Sequence, residues 1–134
     1  MRLVLAVSLD GRLAIPNSES THLGSKHDRL ALEKSLAWAD GTLIGGGTLR
    51  AHQSTCLIQN PDLINHRISN GLSKQPISIL VSSKKEFDKS WPFFNQPIER
   101  WLISSNKELL SSNTSLFKRK FLLKENWKDI LTDL

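Results

Sequence analysis

The sequence predicts a three-layer α/β domain built around a mostly parallel sheet. Short apolar runs without strict polar alternation are typical of strands that are buried on both faces, as in parallel sheets. Segments with helical periodicity lie between these runs, and strands that alternate with helices favour parallel pairing. Turn-forming pairs such as Asp10-Gly11 and Asp40-Gly41 separate the two kinds of segment.

The first third of the chain predicts a strand, a helix and a second strand. The apolar run at residues 2–9 predicts the first strand. A helix is predicted over residues 25–40, because Ser25 and Asp28 have the spacing of a capping box. The second strand is predicted at residues 42–44, and a short helix is predicted around residues 48–53, after the glycines.

The apolar positions of the first predicted helix indicate which face is buried. Leu32, Leu36 and Ala39 recur at helical spacing and therefore lie on one face. Glu33 and Lys34 lie outside that face.

The remainder of the chain predicts a loop, three strands and a final helix. Pro61, Gly71 and several polar residues predict a loop. The predicted ranges are 54–75 for the loop, 76–83, 97–105 and 119–124 for the strands, and 126–134 for the helix. A helix in a parallel sheet normally leads to another strand. The sequence therefore predicts one domain over residues 1–134 that is incomplete at its C-terminus.

The composition excludes several classes of protein. With 39% hydrophobic and 23% charged residues, the chain has an ordinary globular composition. No apolar run is long enough to cross a membrane, and residues 1–11 lack the features of a secretory signal. One cysteine, Cys56, excludes an internal disulfide and a multi-cysteine zinc site. A reducing, cytoplasmic compartment is therefore predicted, with no metal site and no membrane partner.

The charge of the chain favours an anionic partner. The formal net charge is +5, and most of the excess lies in residues 68–134. Such a balance fits nucleic acid, a phosphorylated metabolite or a phosphate-bearing cofactor. The basic and aromatic residues 117–121 are interpreted as the start of a surface strand, so no nucleic-acid partner is predicted.

Three consecutive glycines, residues 45–47, are the most informative local feature. They follow a predicted strand and precede Thr48 and a short predicted helix, an arrangement that exposes backbone N–H groups to a phosphate. The P-loop pattern is absent, and Arg50 occupies the place of the third glycine in the dinucleotide fingerprint. An ordinary Rossmann domain or nucleotide triphosphatase is therefore disfavoured.

Four stretches together resemble a known family. They are "LAVSLDGRLA" (5–14), "ESTHLGS" (19–25), "ADGTLIGGGTLRA" (39–51) and "PISILVSS" (76–83). In this order they resemble the reductase domain of bacterial riboflavin biosynthesis, which has the dihydrofolate-reductase-like fold. The resemblance covers the front part of that domain, and the family's later Glu-Gly-Gly element is absent here.

The resemblance implies an enzyme, its cofactor and its site. The activity would be NADPH-dependent reduction of 5-amino-6-(5-phosphoribosylamino)uracil, with hydride transfer to the sugar C1. The implied cofactor contacts are Ala6 beside the nicotinamide, His22 on the cofactor, Gly46, Gly47 and Thr48 on its phosphates, and Ser82 with Lys84 near the adenosine 2′-phosphate. Ser20 would contact the substrate.

The match is weaker for the substrate than for the cofactor. Leu36, His52 and Gln59 stand where the family often has an arginine, an aspartate and a basic residue. His52 could still donate a proton near neutral pH. Asp10, in the loop expected near the nicotinamide, is the second catalytic candidate, and it is equally suited to a turn.

Two alternatives to this activity remain open. One is an NADP-binding reductase of the same fold that acts on another substrate, such as a pteridine. The other is a non-catalytic binding protein, either truncated or degenerate. For the enzyme, the expected partner is a small phosphorylated molecule, and the resemblance also allows a homodimer.

Overall fold

The computed structural model of the protein describes residues 2–4, 25–84, 87–111, 115–123 and 127–133. These residues form two compact units. One comprises the described residues within 1–40 and 56–76, and the other comprises those within 41–55 and 77–134. The single-domain organisation expected from the sequence stays a prediction. No helix among the described residues is long and apolar enough to cross a membrane.

The second unit is built on a four-stranded, fully parallel sheet. The strands are β1 (Gly41–Gly45), β2 (Ile77–Val81), β3 (Arg100–Ser104) and β4 (Arg119–Leu122). They lie side by side in chain order, β1-β2-β3-β4, and each neighbouring pair is parallel. The predicted parallel sheet is thereby confirmed. Of the first predicted strand, residues 2–4 are not in a strand, and residues 5–9 lie outside the described residues.

Helices cover both faces of this sheet. They are α2 (Gly46–His52), α4 (Pro92–Asn95) and α5 (Lys107–Ser111) on one face, and α6 (Trp127–Asp133) on the other. On the first face, Leu49 and Phe93 pack against strand residues Leu80 and Leu102. On the second face, Ile130 packs against the sheet. The three-layer α/β architecture predicted from the sequence is therefore confirmed.

The first unit contains α1 (Lys26–Trp38) and α3 (Pro61–Ser69), which pack against each other. The predicted capping box is present: the Asp28 amide donates to Ser25 Oγ at 3.3 Å, and the Ser25 amide donates to Asp28 Oδ2 at 2.6 Å. α3 lies inside the predicted loop at 54–75, so that loop prediction is wrong.

The residues at the start of α3 explain why the sequence predicts a loop there instead of a helix. Pro61 is a turn signal in isolation, but proline is favoured at the first position of a helix. Asn60 is the N-cap, and its Oδ1 accepts hydrogen bonds from the amides of Asp62 and Leu63. Helix initiation, rather than chain reversal, is therefore the role of the Asn-Pro pair.

Glu33 is a buried charge on α1. It lies outside the predicted apolar face of this helix, yet it is only 4% exposed. Its carboxylate accepts from Arg29 Nε at 2.7 Å and from the amides of Gln59 and Asn60 at 3.0 and 2.9 Å. The carboxylate thus fixes the segment that leads into α3, and a buried charge is tolerated because all of these donors satisfy it.

The pKa of Glu33 follows from these contacts. Burial alone would raise this pKa, but the hydrogen bond from Arg29 and those from the Asn60 and Gln59 amides outweigh burial. The pKa of Glu33 consequently lies below its usual 4.5. A lowered pKa in the folded state means that the charged carboxylate stabilises the fold above pH 4.5, and that this stabilisation is lost as pH falls through the lowered value.

Replacing Glu33 by glutamine should lower the free energy of unfolding by about 2 kcal/mol at neutral pH, because two backbone amides lose a charged acceptor. Denaturant unfolding measured at several pH values checks this. The difference from the unmodified protein should shrink as pH falls below 4.5. Asp62→Asn, at an exposed carboxylate in the same unit, is the control and should cost less than about 1 kcal/mol. A pH-independent difference would contradict the prediction.

Arg67 is the second buried charge of this unit and is 1% exposed. Its Nη1 donates to the carbonyls of Leu36, Ala37 and Ala39 at 3.2, 3.1 and 2.6 Å, and its Nε donates to the Ser73 carbonyl at 2.7 Å. These acceptors include carbonyls at the C-terminal end of α1, where the last carbonyls of a helix are short of partners inside it. The Leu36 carbonyl also accepts from the Ala39 amide at 3.2 Å. Burial lowers the pKa of Arg67, while the Asp40 carboxylate opposes that shift.

Candidate functional site

A crevice lies at the carboxyl ends of the parallel strands in the second unit. Because carboxyl ends of neighbouring parallel strands meet at one edge of the sheet, this is where open α/β sheets bind ligands. The crevice is open and has a volume of about 370 Å³. It is lined by Gly46, Gly47, Arg50, Val81, Ser82, Ser83, Lys84, Ile103, Ser104, Ser105 and Leu123.

Gly46 must be a glycine because the side chain of Ser82 lies too close for a Cβ atom. A Cβ atom on Gly46 would lie 2.7 Å from Ser82 Oγ and 3.0 Å from Ser82 Cβ. The residue therefore allows α2 to start directly against the end of β2. Gly47 has more room, since the nearest atom to its added Cβ would be 3.9 Å away. Gly46 and Gly47 are the first two residues of α2 rather than a turn before it, and they form part of the crevice wall.

The strands β2 and β3 end in the same way at this crevice. Ser82 follows Val81, and its Oγ accepts from the Lys84 amide at 3.3 Å. Ser104 follows Ile103, and its Oγ accepts from the Asn106 amide at 3.0 Å. The exposed fractions of the two serines are 9% and 1%. Both hydroxyl groups are therefore fixed as acceptors by the backbone two residues further on.

The hydroxyl protons of these two serines remain available to a ligand. Among the described residues, neither Ser82 nor Ser104 donates a side-chain hydrogen bond. Because Val81 and Ile103 are paired in the sheet, the two serines stand on adjacent strands. A hydroxyl that already accepts a bond can still donate one. The floor of the crevice therefore offers two neighbouring donors.

The crevice is positively charged. Arg50 and Lys84 line it, and its described lining contains no carboxylate. Cationic side chains without a neutralising acid favour an anionic ligand, and hydroxyl donors suit the oxygens of a phosphate. The donor set therefore fits the phosphate-bearing part of a nucleotide.

The structure brings together part of the predicted site. Gly46, Gly47, Ser82 and Lys84 line the crevice. Thr48 is exposed and His52 lies at the exposed end of α2; neither is among the described lining residues. The other predicted site residues, Ala6, Asp10, Ser20 and His22, lie outside the described residues.

The positions that depart from the family pattern lie in varied settings. Leu36 is 7% exposed and belongs to the core of the first unit, with Ala37 and Ile58. Gln59 is exposed, and its backbone amide donates a hydrogen bond to the Glu33 carboxylate. Leu36 therefore has a structural role that an apolar side chain satisfies.

Arg50, Ser83, Ser104 and Ser105 line the crevice, although the sequence reasoning does not select them. A signal for the serines is present in the sequence. The strand ends "VSSK" (81–84) and "ISSN" (103–106) are alike, and equal endings on parallel strands predict neighbouring side chains. No comparable local signal marks Arg50, because its position depends on how α2 meets β2.

Among the described residues, no group of three or more metal-ligating side chains lies close enough to hold a metal ion. Cys56 is half-buried in the first unit, and burial raises the pKa of its thiol. A raised pKa disfavours the reactive thiolate. The chemistry of the crevice is therefore that of hydroxyl and cationic groups.

The sheet and its crevice define an α/β protein of the dihydrofolate-reductase-like class. The chain belongs to the family of the RibD C-terminal domain, whose sequence profile matches residues 1–134. This is the reductase domain of riboflavin biosynthesis that the sequence resembles, and the reductases of the family depend on a pyridine nucleotide.

A solved structure has the same fold. It is the crystal structure of a pyrimidine reductase-like protein from Corynebacterium diphtheriae, with a TM-score of 0.74 and 20% sequence identity. The match covers 95% of the present chain and 56% of the other, so the chain spans little more than half the length of this neighbour. No curated protein matched the chain.

Proposed function

We propose that the protein is an NADPH-dependent reductase of riboflavin biosynthesis. Its substrate would be 5-amino-6-(5-phosphoribosylamino)uracil and its product the ribitylamino compound. Membership of the RibD C-terminal domain family is the observation that carries this proposal. The fold shared with a pyrimidine reductase-like protein agrees with it. A cytoplasmic location and a homodimer belong to the same proposal.

The described residues fit the phosphate-bearing end of a dinucleotide. Ser82 and Ser104 offer hydroxyl donors at the floor of the crevice, and Arg50 and Lys84 supply positive charge. Because Gly46 has no side chain, α2 can start directly against Ser82. These residues would bind and orient the cofactor without changing its chemistry.

When bound, the cofactor supplies a hydride from its nicotinamide ring. The residues that would face the ring and the substrate are Ala6, Asp10, Ser20 and His22, and their roles rest on the family resemblance. Thr48 and His52 are proposed respectively as a phosphate contact and as a proton donor near the reacting carbon. The crevice would fix the distant end of the cofactor, and this fixation orients the ring.

The proposal is tested by mixing the purified protein with NADPH and the phosphoribosylamino-pyrimidine while the nicotinamide absorbance band is followed. Substrate-dependent loss of NADPH absorbance, together with the ribityl product in mass spectra, is expected. Dihydropterin as the substrate tests the alternative reductase. Binding of NADPH without turnover of either substrate, or no binding at all, would contradict the proposed activity and favour a non-catalytic protein.

A further inference from the structure

Arg50 differs from every other arginine that the structure describes. The others have internal partners: Arg2 lies over Trp38, Arg29 pairs with Glu33, Arg67 and Arg100 donate to backbone carbonyls, and Arg119 lies over Trp101 and Phe121. Arg50 makes no hydrogen bond, ion pair or ring contact with any described residue. No described residue uses the donors of its guanidinium, and the side chain lines the crevice.

The guanidinium of Arg50 lies close to the two glycines that begin α2. Its Nη1 would be 3.3 Å from a Cβ on Gly46, and its Nη2 would be 3.9 Å from a Cβ on Gly47. Ser82 Oγ approaches the same point on Gly46 at 2.7 Å. The cationic group and the buried hydroxyl therefore converge on one spot, although 32 positions of the sequence separate them.

We infer that Arg50 determines the preference of this crevice for NADPH over NADH, by binding the 2′-phosphate together with the hydroxyls of Ser82 and Ser104. The inference rests on the proposed function. A phosphate monoester carries close to two negative charges and offers oxygens that match the fork of a guanidinium. NADH has a neutral hydroxyl at that place, so it gains little from an arginine.

The surroundings of Arg50 make this role specific. The only other cation of the described lining is Lys84, whose backbone amide is bonded to Ser82 Oγ. Because no described residue neutralises Arg50, a phosphate can bind its guanidinium without displacing a partner from the described part of the chain. Ser82 and Ser104 supply neutral donors to the same anion.

The test is equilibrium binding of NADPH and NADH to the full chain, followed by nicotinamide fluorescence. Arg50→Gln should raise the Kd of NADPH by about 10- to 100-fold and leave that of NADH unchanged. Arg50→Lys should keep part of the preference, since lysine retains the charge without the fork. Ser104→Ala should weaken NADPH by about 3- to 10-fold. Lys34→Gln removes one positive charge from exposed helix surface outside the crevice and should change neither Kd.

The outcomes separate this inference from the proposed function. An unchanged NADPH preference in Arg50→Gln, with the melting temperature also unchanged, overturns the inference and leaves the reductase proposal standing. A raised KM for the phosphorylated substrate without loss of NADPH preference assigns Arg50 to the substrate phosphate and also overturns it. Failure of the unmodified protein to bind either nucleotide overturns both proposals.

Discussion

Replacing Arg67 by methionine is expected to lower the free energy of unfolding by about 3–5 kcal/mol. Methionine can fill the volume of the arginine stem, but it offers no hydrogen-bond donor. The carbonyls of Leu36, Ala37 and Ala39 would lose the donor that joins the end of α1 to α3. The Leu36 carbonyl keeps the Ala39 amide as a donor. Each of the other buried carbonyls that is left without a partner carries a desolvation penalty of about 1–3 kcal/mol.

Denaturant unfolding by circular dichroism measures this effect, and Arg50→Met is the matched control. Arg50 is exposed and has no partner among the described residues, so its substitution should change the unfolding free energy by less than about 0.5 kcal/mol. Arg67→Lys should be intermediate, because lysine cannot reach the α1 carbonyls and the Ser73 carbonyl together. Equal stabilities of the two methionine variants would show that the Arg67 contacts contribute nothing.

Replacing Gly46 by alanine is expected to destabilise the second unit and to deform the crevice. The new methyl group would lie 2.7 Å from Ser82 Oγ, so either the serine or the start of α2 must move. Relative to Gly47→Ala, the expected cost is about 2 kcal/mol, since overpacking of this kind typically costs roughly 1–3 kcal/mol. A displaced Ser82 also loses the hydrogen bond from the Lys84 amide.

Gly47→Ala controls for the change in helix propensity. A Cβ at that position would meet its nearest atom at 3.9 Å, an ordinary contact, so this variant should be as stable as the unmodified protein or more stable. Adding Ser82→Gly to Gly46→Ala should recover part of the loss, and the coupling energy of the double-mutant cycle should exceed about 1 kcal/mol. Zero coupling between positions 46 and 82 would refute the proposed clash.

The strands of the sheet could be predicted from the sequence because their signals are local. Residues 76–83 form an apolar run bounded by Pro76 and by two serines, and the structure has β2 at Ile77–Val81 within it. The capping box of α1 is local in the same way. The wrong loop prediction at 54–75 has a local cause as well, because Pro61 signals either a turn or the start of a helix.

The burial of charged residues could not be predicted from the sequence, for a different reason. Glu33 and Arg67 are buried, although charged residues are almost never fully buried unless they are paired. Most of their partners are backbone groups more than 20 positions away, and no periodicity of the sequence encodes such contacts. The Arg50 side chain, likewise, is recognised as part of the crevice only once α2 is packed beside β2.

By itself, the sequence determined the parallel α/β architecture and the family, and it selected four residues that line the crevice, Gly46, Gly47, Ser82 and Lys84. Strand burial, capping and the run of glycines all depend on near neighbours in the chain, so short patterns are enough to identify them. Only the tertiary structure decided that Ser104 stands beside Ser82, that Arg50 lies close to Gly46 and Gly47, and that Glu33 and Arg67 are internal. Those facts depend on contacts between distant segments, and such contacts exist only after the sheet and its helices have packed.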